Sequence, residues 1–183
     1  MKSRLVSTLR VTLALASVLS ASAAAHAVAL LSPDLVLSRD AEVFVTFDGY
    51  SAGYTSRLSL ELPDDTFMAL FTNKTTAVGT TIAAGTFAAG SELVFKLWVD
   101  NTSKAYFSGD ASSNADGFAH AKIFAYDGAS ASLGFEDLWN GGDKDYNDFK
   151  FSVTARPVPD HAATGALLGI ALTALVLARR RLG

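Results

Sequence analysis

Cysteine is absent from all 183 residues of this chain. No disulfide framework can hold it together, so a secreted form must draw its stability from a hydrophobic core, with or without a metal. Histidine is scarce as well, and His120 is the only one between the two terminal segments. With no thiol and one internal imidazole, zinc and iron would lack their usual ligands. Basic residues are thin: residues 28–160 hold nine Lys or Arg against all 18 Asp and Glu, a net charge of −9. Such a surface repels phosphates and argues against a nucleic-acid partner, while it suits an extracellular module or one that binds cations. Also missing are G-x-S-x-G, H-E-x-x-H, a P-loop, any internal repeat and any long period-3.6 segment in the body of the chain. The length leaves room for one domain plus targeting segments.

Both ends read as addresses. Lys2, Arg4 and Arg10 precede an apolar run from Val11 to Leu19, and Ala25-His26-Ala27 forms an A-x-A cleavage site ahead of Val28. Residues 1–27 are therefore expected to be a secretory signal peptide, since the apolar run is too short to span a bilayer comfortably. At the other end, Arg156-Pro157-Val158-Pro159-Asp160 leads into a nearly continuous apolar run from Thr164 to Ala178, closed by Arg179-Arg180-Arg181. The 18 residues from His161 to Ala178 are just long enough for a transmembrane helix if the bilayer thins or the flanks snorkel. The arginines would stay cytoplasmic, leaving the domain outside.

This order of a Pro-containing motif, an apolar helix and a terminal Arg cluster resembles the PEP-CTERM sorting signal. Val158-Pro159-Asp160 stands in place of Pro-Glu-Pro, as in VPD-type variants, and Thr164-Gly165-Ala166-Leu167-Leu168-Gly169 is similar to the start of those helices. The resemblance covers residues 156–183. It implies an exosortase-type processing enzyme of a Gram-negative bacterium as partner, and a destination in the cell envelope or the extracellular polysaccharide. A Gram-positive sortase signal would need Leu-Pro-x-Thr-Gly, which is absent.

Between these signals, residues 28–155 read as one β domain. Glu42–Phe47 and Arg57–Leu62 alternate polar and apolar residues; Phe67–Phe71, Leu93–Val99, Ala105–Phe107, Phe118–Tyr126, Ser132–Phe135 and Asp148–Val153 supply further short runs of strand formers. Asp48-Gly49, Asp116-Gly117 and Asp127-Gly128 mark turns between them. Short strands with Gly/Asp turns predict an all-β, antiparallel β-sandwich of jelly-roll or immunoglobulin-like type. Thr76–Gly90, rich in small residues, is expected to be a long loop or a weak edge strand, and Ala155–Asp160 a short linker before the anchor.

Chemistry concentrates in Gly134–Phe151, which places Glu136, Asp137, Asp143, Asp145, Asn147 and Asp148 around an Asn140-Gly141-Gly142 turn. So many side-chain oxygens repel one another unless a cation or backbone N–H groups offset their charge. Asp143-x-Asp145-x-Asn147 has the opening spacing of an EF-hand loop, but Asp148 stands where its turn Gly belongs and Thr154 where its bidentate Glu belongs. An Asp-rich loop remains, suited to calcium, which takes 6–8 oxygen ligands, more than to magnesium, which keeps its waters. The competing reading is that these side chains cap turns by accepting backbone N–H bonds. Glu136 and Asp137 are adjacent, so on a strand they face opposite ways and only one can join the site. Asp137, Asp143, Asp145 and Asn147 are the favoured ligands, with Glu136 or Asp148 filling in.

Phe135-Glu136-Asp137-Leu138 followed by Gly142-Asp143-x-Asp145-Tyr146-Asn147-Asp148 resembles the hallmark of an uncharacterised bacterial domain family found at the C-terminal end of exported proteins. The likeness extends over about residues 90–154, with Lys144 at a position often Arg. It implies a β-rich extracellular module, a calcium site at Glu136, Asp137, Asp143, Asp145, Asn147 and Asp148, and no established catalytic activity. Residues 28–89 fit no recognised pattern.

His120, between two alanines in a predicted strand, is expected to be a hydrogen-bonded structural residue. Trp98, Trp139 and the phenylalanines are expected in the core, although an exposed Trp139 beside the acidic loop would suit sugar stacking as a ligand contact. The expectation is thus an exported, non-enzymatic calcium-binding module meeting extracellular polysaccharide or envelope proteins, attached to the membrane through its C-terminal helix. The alternative is a lectin-like carbohydrate-binding module. A glycoside hydrolase using two of Glu136, Asp137 and Asp145 is the least favoured.

Overall fold

The structure, a computed structural model, describes residues 30–31 and 34–158. The signal peptide with Ala25 and Ala27, the rest of the sorting motif (Pro159 and Asp160) and the expected transmembrane helix 161–178 lie outside the described residues. Among those residues, no helix is long and apolar enough to cross a membrane.

The described chain is all-β, with eleven strands and two single 3₁₀ turns. A short N-terminal pair, β1 (Leu30–Leu31) and β2 (Val36–Leu37), is joined by β3 (Ala41–Gly49), β4 (Ser56–Glu61), β5 (Phe67–Thr72), β6 (Thr81–Phe87), β7 (Phe95–Val99), β8 (Lys104–Phe107), β9 (Ala121–Tyr126), β10 (Ser130–Phe135) and β11 (Phe149–Pro157). They form a five-stranded sheet ordered β6-β3-β11-β10-β9 and a four-stranded sheet ordered β5-β4-β7-β8, with every pairing antiparallel.

Alternation in the sequence decides which face each strand buries. Val43, Val45 and Phe47 of β3, Leu133 and Phe135 of β10, and Phe149, Phe151 and Val153 of β11 turn inward from the larger sheet. Leu58 and Leu60 of β4 and Phe95, Leu97 and Val99 of β7 meet them from the smaller one, in a single apolar cluster. The two faces touch directly: the Phe95 and Phe151 rings lie 4.7 Å apart between centroids, and those of Phe47 and Phe71 5.7 Å. Each such ring, fully buried, contributes roughly 1.5–3 kcal/mol of transfer free energy. The core therefore needs no disulfide.

Eight predicted runs coincide with strands, and Thr76–Gly90 contains β6 at one edge of the larger sheet. Three expectations change. Ala155–Pro157 is not a linker: these residues complete β11 in register with β3 as far as Pro157 opposite Ala41, and Ala155 is buried. Strand β9 begins at Ala121, leaving Phe118–His120 in the preceding loop. Trp139 is 45% exposed and Trp98 only partly buried, because Trp98 falls on the outward parity of β7 while Trp139 sits in a surface turn. Phe124 too is exposed, pointing outward from β9.

Candidate functional site

The acidic residues occupy the connection between β10 and β11, at one end of the larger sheet. Strand parity sets their directions. Leu133 and Phe135 point inward, so Asp137 continues toward the space between the sheets, while Glu136 continues the outward line of Gly134. Asp137 Oδ2 accepts a 3.3 Å hydrogen bond from Ser56 Oγ of β4, and its backbone N–H donates to Asp148 Oδ2 at 2.9 Å. Glu136 Oε1 accepts from the backbone N–H of Tyr146, whereas its buried Oε2 has no partner.

Glu136, Asp143 and Asp145 each bring one carboxylate oxygen to within 4.8 Å of the others. Glu136 is fully buried, while Asp143 and Asp145 are exposed. The site thus has a buried floor and a solvent-facing rim. The oxygens that converge are those of Glu136, Asp143 and Asp145, while Asp137, a favoured ligand in the sequence, hydrogen-bonds to Ser56 and Asp148. Asn147 stays beside the rim: its amide nitrogen donates to Asp145, and its backbone N–H reaches Asp145 Oδ1 at 3.1 Å. Asp145 and Asp148 therefore also accept backbone bonds, as the turn-capping reading anticipated.

The loop reaches this shape through an unusual backbone. Asn140, Gly141, Gly142, Lys144 and Tyr146 all have positive φ, and for a residue as bulky as tyrosine φ of 56° is a strained conformation. Tyr146 is held there by its N–H on Glu136, by its hydroxyl donating to Ala119 O at 3.1 Å, and by its ring stacked on Phe118. Two glycines leave the necessary room. A Cβ on Gly134 would lie 1.9 Å from Tyr146 O, and one on Gly141 2.1 Å from the Phe118 ring.

A second loop locks onto the first. Asp116 Oδ2 accepts from Asn140 N at 2.8 Å and pairs with His120 Nε2 at 2.9 Å, while His120 Nδ1 contacts Glu136 O at 2.9 Å. His120 is fully buried against the Tyr106 ring, 3.7 Å between centroids. It is the hydrogen-bonded structural residue that was expected. In the sequence, Asp116-Gly117 signals only a turn. The position of Asp116 four before His120 was the available signal for more.

Electrostatically the region is under stress. Burial pushes the Asp137 carboxyl up to about 7, reinforced by the charge of Asp148, with which it shares a hydrogen bond. Burial also raises Asp148 and Glu136, and the charges of Asp143 and Asp145 add to both. Burial would raise Asp116 as well, but hydrogen bonds from His120, Asn140 and Phe118 together hold it below the usual carboxylate range. Tyr106, whose hydroxyl is buried without a partner, is raised to about 12 by burial and the nearby Asp116 and Asp137. Loss of solvation thus disfavours the charged forms of the interior acids.

Trp139, in the turn that opens the loop, presents an exposed ring capped by Lys104 Nζ at 3.8 Å from its centroid. A cleft of about 580 Å³ beside β9, reached by Asp34, Asp110 and Tyr126, includes none of the site carboxylates.

Residues 87–156 match the domain of unknown function DUF4114. The match begins at the last residue of β6 and spans Glu136–Asp148, β7–β10 and β11 as far as Arg156, while β3–β5 precede it. Residues 157–182 match the VPDSG-CTERM motif. That sorting signal implies export, membrane-anchored processing at the cell envelope, and recognition of the tail by an exosortase-type enzyme. Here the motif reads Val158-Pro159-Asp160-His161-Ala162, so His and Ala replace its Ser and Gly. No curated protein matches the chain.

Proposed function

We propose that the chain is an exported, non-enzymatic β-sandwich module that binds calcium at Glu136, Asp143 and Asp145 and displays a surface to extracellular polysaccharide or to other envelope proteins of a Gram-negative host. The observation that carries the reading is Glu136 Oε2: a fully buried carboxylate oxygen with no partner, beside two further carboxylates. An unpaired buried charge is costly, and a satisfied one needs a cation or a proton. The donor set contains only oxygen, which fits calcium and not zinc. Bound calcium supplies the positive charge that offsets the three carboxylates. The chain's own part is to hold Glu136 in place through Tyr146 and Gly134, and to leave Asp143 and Asp145 facing solvent.

A catalytic carboxylate pair is a poorer account, because Glu136 and Asp137 face different neighbours and the cleft beside β9 lies apart from both. Calorimetric titration of chelator-treated protein is the test. The reading predicts a saturable calcium site with weaker binding of magnesium, and no heat of binding up to millimolar calcium would refute it.

The exposure of Trp139 favours a second reading, a lectin-like module whose sugar ligand stacks on that indole beside the ion. Binding on a glycan array that disappears in Trp139→Ala would support it. Binding undiminished by the substitution would remove Trp139 from the account.

A further inference from the structure

The acidic loop and the sorting motif lie at opposite ends of one uninterrupted strand. β11 leaves the loop at Phe149 and stays hydrogen-bonded to β3 from Lys150, opposite Gly49, to Pro157, opposite Ala41. The next residue, Val158, begins the sorting motif, and its N–H still donates to Asp40 O at 3.0 Å. At roughly 3.3 Å per residue, β11 separates the two ends by about 26 Å. Among the described residues no flexible spacer separates Phe149 from Val158: Ala155 is buried, and Pro157 restricts its own φ.

We propose that the unprocessed protein stands upright on its tail. In this arrangement the end formed by Asp40, Ala41, the β6–β7 turn at Ala88–Gly90, and Pro157 faces the membrane and the processing enzyme. The Glu136–Asp148 loop is the outward tip. Ligands of the acidic site then approach from the extracellular side, and occupancy of that site leaves the processing end free. A second consequence concerns the enzyme. Gripping an extended substrate upstream of Val158 requires Ala155–Pro157 to peel from β3, because paired backbone is a poor proteolytic substrate until it opens locally. The orientation rests on the anchoring of the tail and on strand geometry, and it stands whether or not the acidic site takes calcium.

The cysteine-free chain allows a direct test. Single cysteines replace Ala88, at the proposed membrane end, and Thr102, in the exposed β7–β8 turn at the tip. Each is labelled with an environment-sensitive fluorophore in the unprocessed chain with its tail intact, reconstituted through that tail into phosphatidylcholine vesicles carrying a headgroup-level quencher. Vesicle flotation first selects anchored protein. Quenching several-fold stronger at Ala88→Cys than at Thr102→Cys is expected, with or without chelator. Inserting eight Gly/Ser residues between Pro157 and Val158 should bring the two toward equality. Equal quenching without the insertion, or stronger quenching at Thr102→Cys, would overturn the proposal. So would a difference that survives the insertion unchanged, since strand continuity would then not set the orientation. A loss of the difference only in chelator would tie orientation to the ion and contradict the independence stated above.

Discussion

Glu136→Gln should erase the effect of calcium on the melting temperature while leaving the chelated protein as stable as the parent or more so. At calcium a hundred-fold above the dissociation constant, binding to the native state alone contributes about 2.7 kcal/mol. For a domain of this size that is roughly 10 °C. The glutamine keeps a carbonyl oxygen to accept the Tyr146 N–H but removes the buried charge left by the unpartnered Oε2. Without calcium, that removal relieves the cost of burying a charge and its repulsion by Asp148, Asp143 and Asp145. With calcium, the variant lacks the one carboxylate held in place by burial, and Asp143 and Asp145 on the exposed rim are poor substitutes. The expected result is a crossing: the variant melts at or above the parent in chelator and well below it in excess calcium. A purely structural role for Glu136 would give the same difference under both conditions. Melting followed by circular dichroism in the two buffers separates the cases.

Without calcium, stability should fall as pH rises from about 5 to 8, opposite to the trend set by stabilising surface carboxylates. Burial and the charge of Asp148 raise the Asp137 carboxyl to about 7, against about 3.9 in the unfolded chain. Between those values the native state holds a proton that the unfolded state has lost, so deprotonation favours unfolding and stability is lost through this window. Glu136 and Asp148 are raised too and act in the same direction. The melting temperature in chelator should therefore drop by several degrees between pH 5 and pH 8. Below about pH 4 the slope should reverse, because Asp116, Asp64 and Asp127 have lowered values and their stabilising hydrogen bonds are lost on protonation. Calcium should restore stability mainly at the alkaline end, where protons no longer compete for the carboxylates. Asp137→Asn, which keeps an acceptor for Ser56 while removing the titrating group, should flatten the slope in chelator. An undiminished slope would place its origin elsewhere.

Much of the fold was legible because its strands alternate cleanly. In β3, Val43, Val45 and Phe47 are buried between outward partners, and the run Ser132–Phe135 likewise declares which way β10 faces. The same parity carried one step further separates Asp137 from Glu136. It shows that Glu136, on the line of Gly134, is the one able to meet a loop folding back over the outer face. What parity could not give was the loop's path: the left-handed turns at Lys144 and Tyr146 are positions where propensity argues against positive φ, and tertiary contacts to Phe118 and Ala119 override it. The role of Asp116 is not legible in the sequence, because Asp-Gly signals a turn whether or not its carboxylate is also needed elsewhere. The continuation of β11 to Pro157 was hidden by the two prolines that follow Arg156. Pro157 closes the paired stretch with β3 at Ala41, where a proline at a strand's end is tolerated.

On the proposed reading a cation completes the β10–β11 loop. The most direct test is the melting temperature of the chelator-treated wild-type protein at pH 7.5, compared with the same sample in excess calcium. A rise of roughly 10 °C with calcium is expected, and a much smaller one with equimolar magnesium. An unchanged melting temperature would contradict that reading and leave the acidic residues as turn caps.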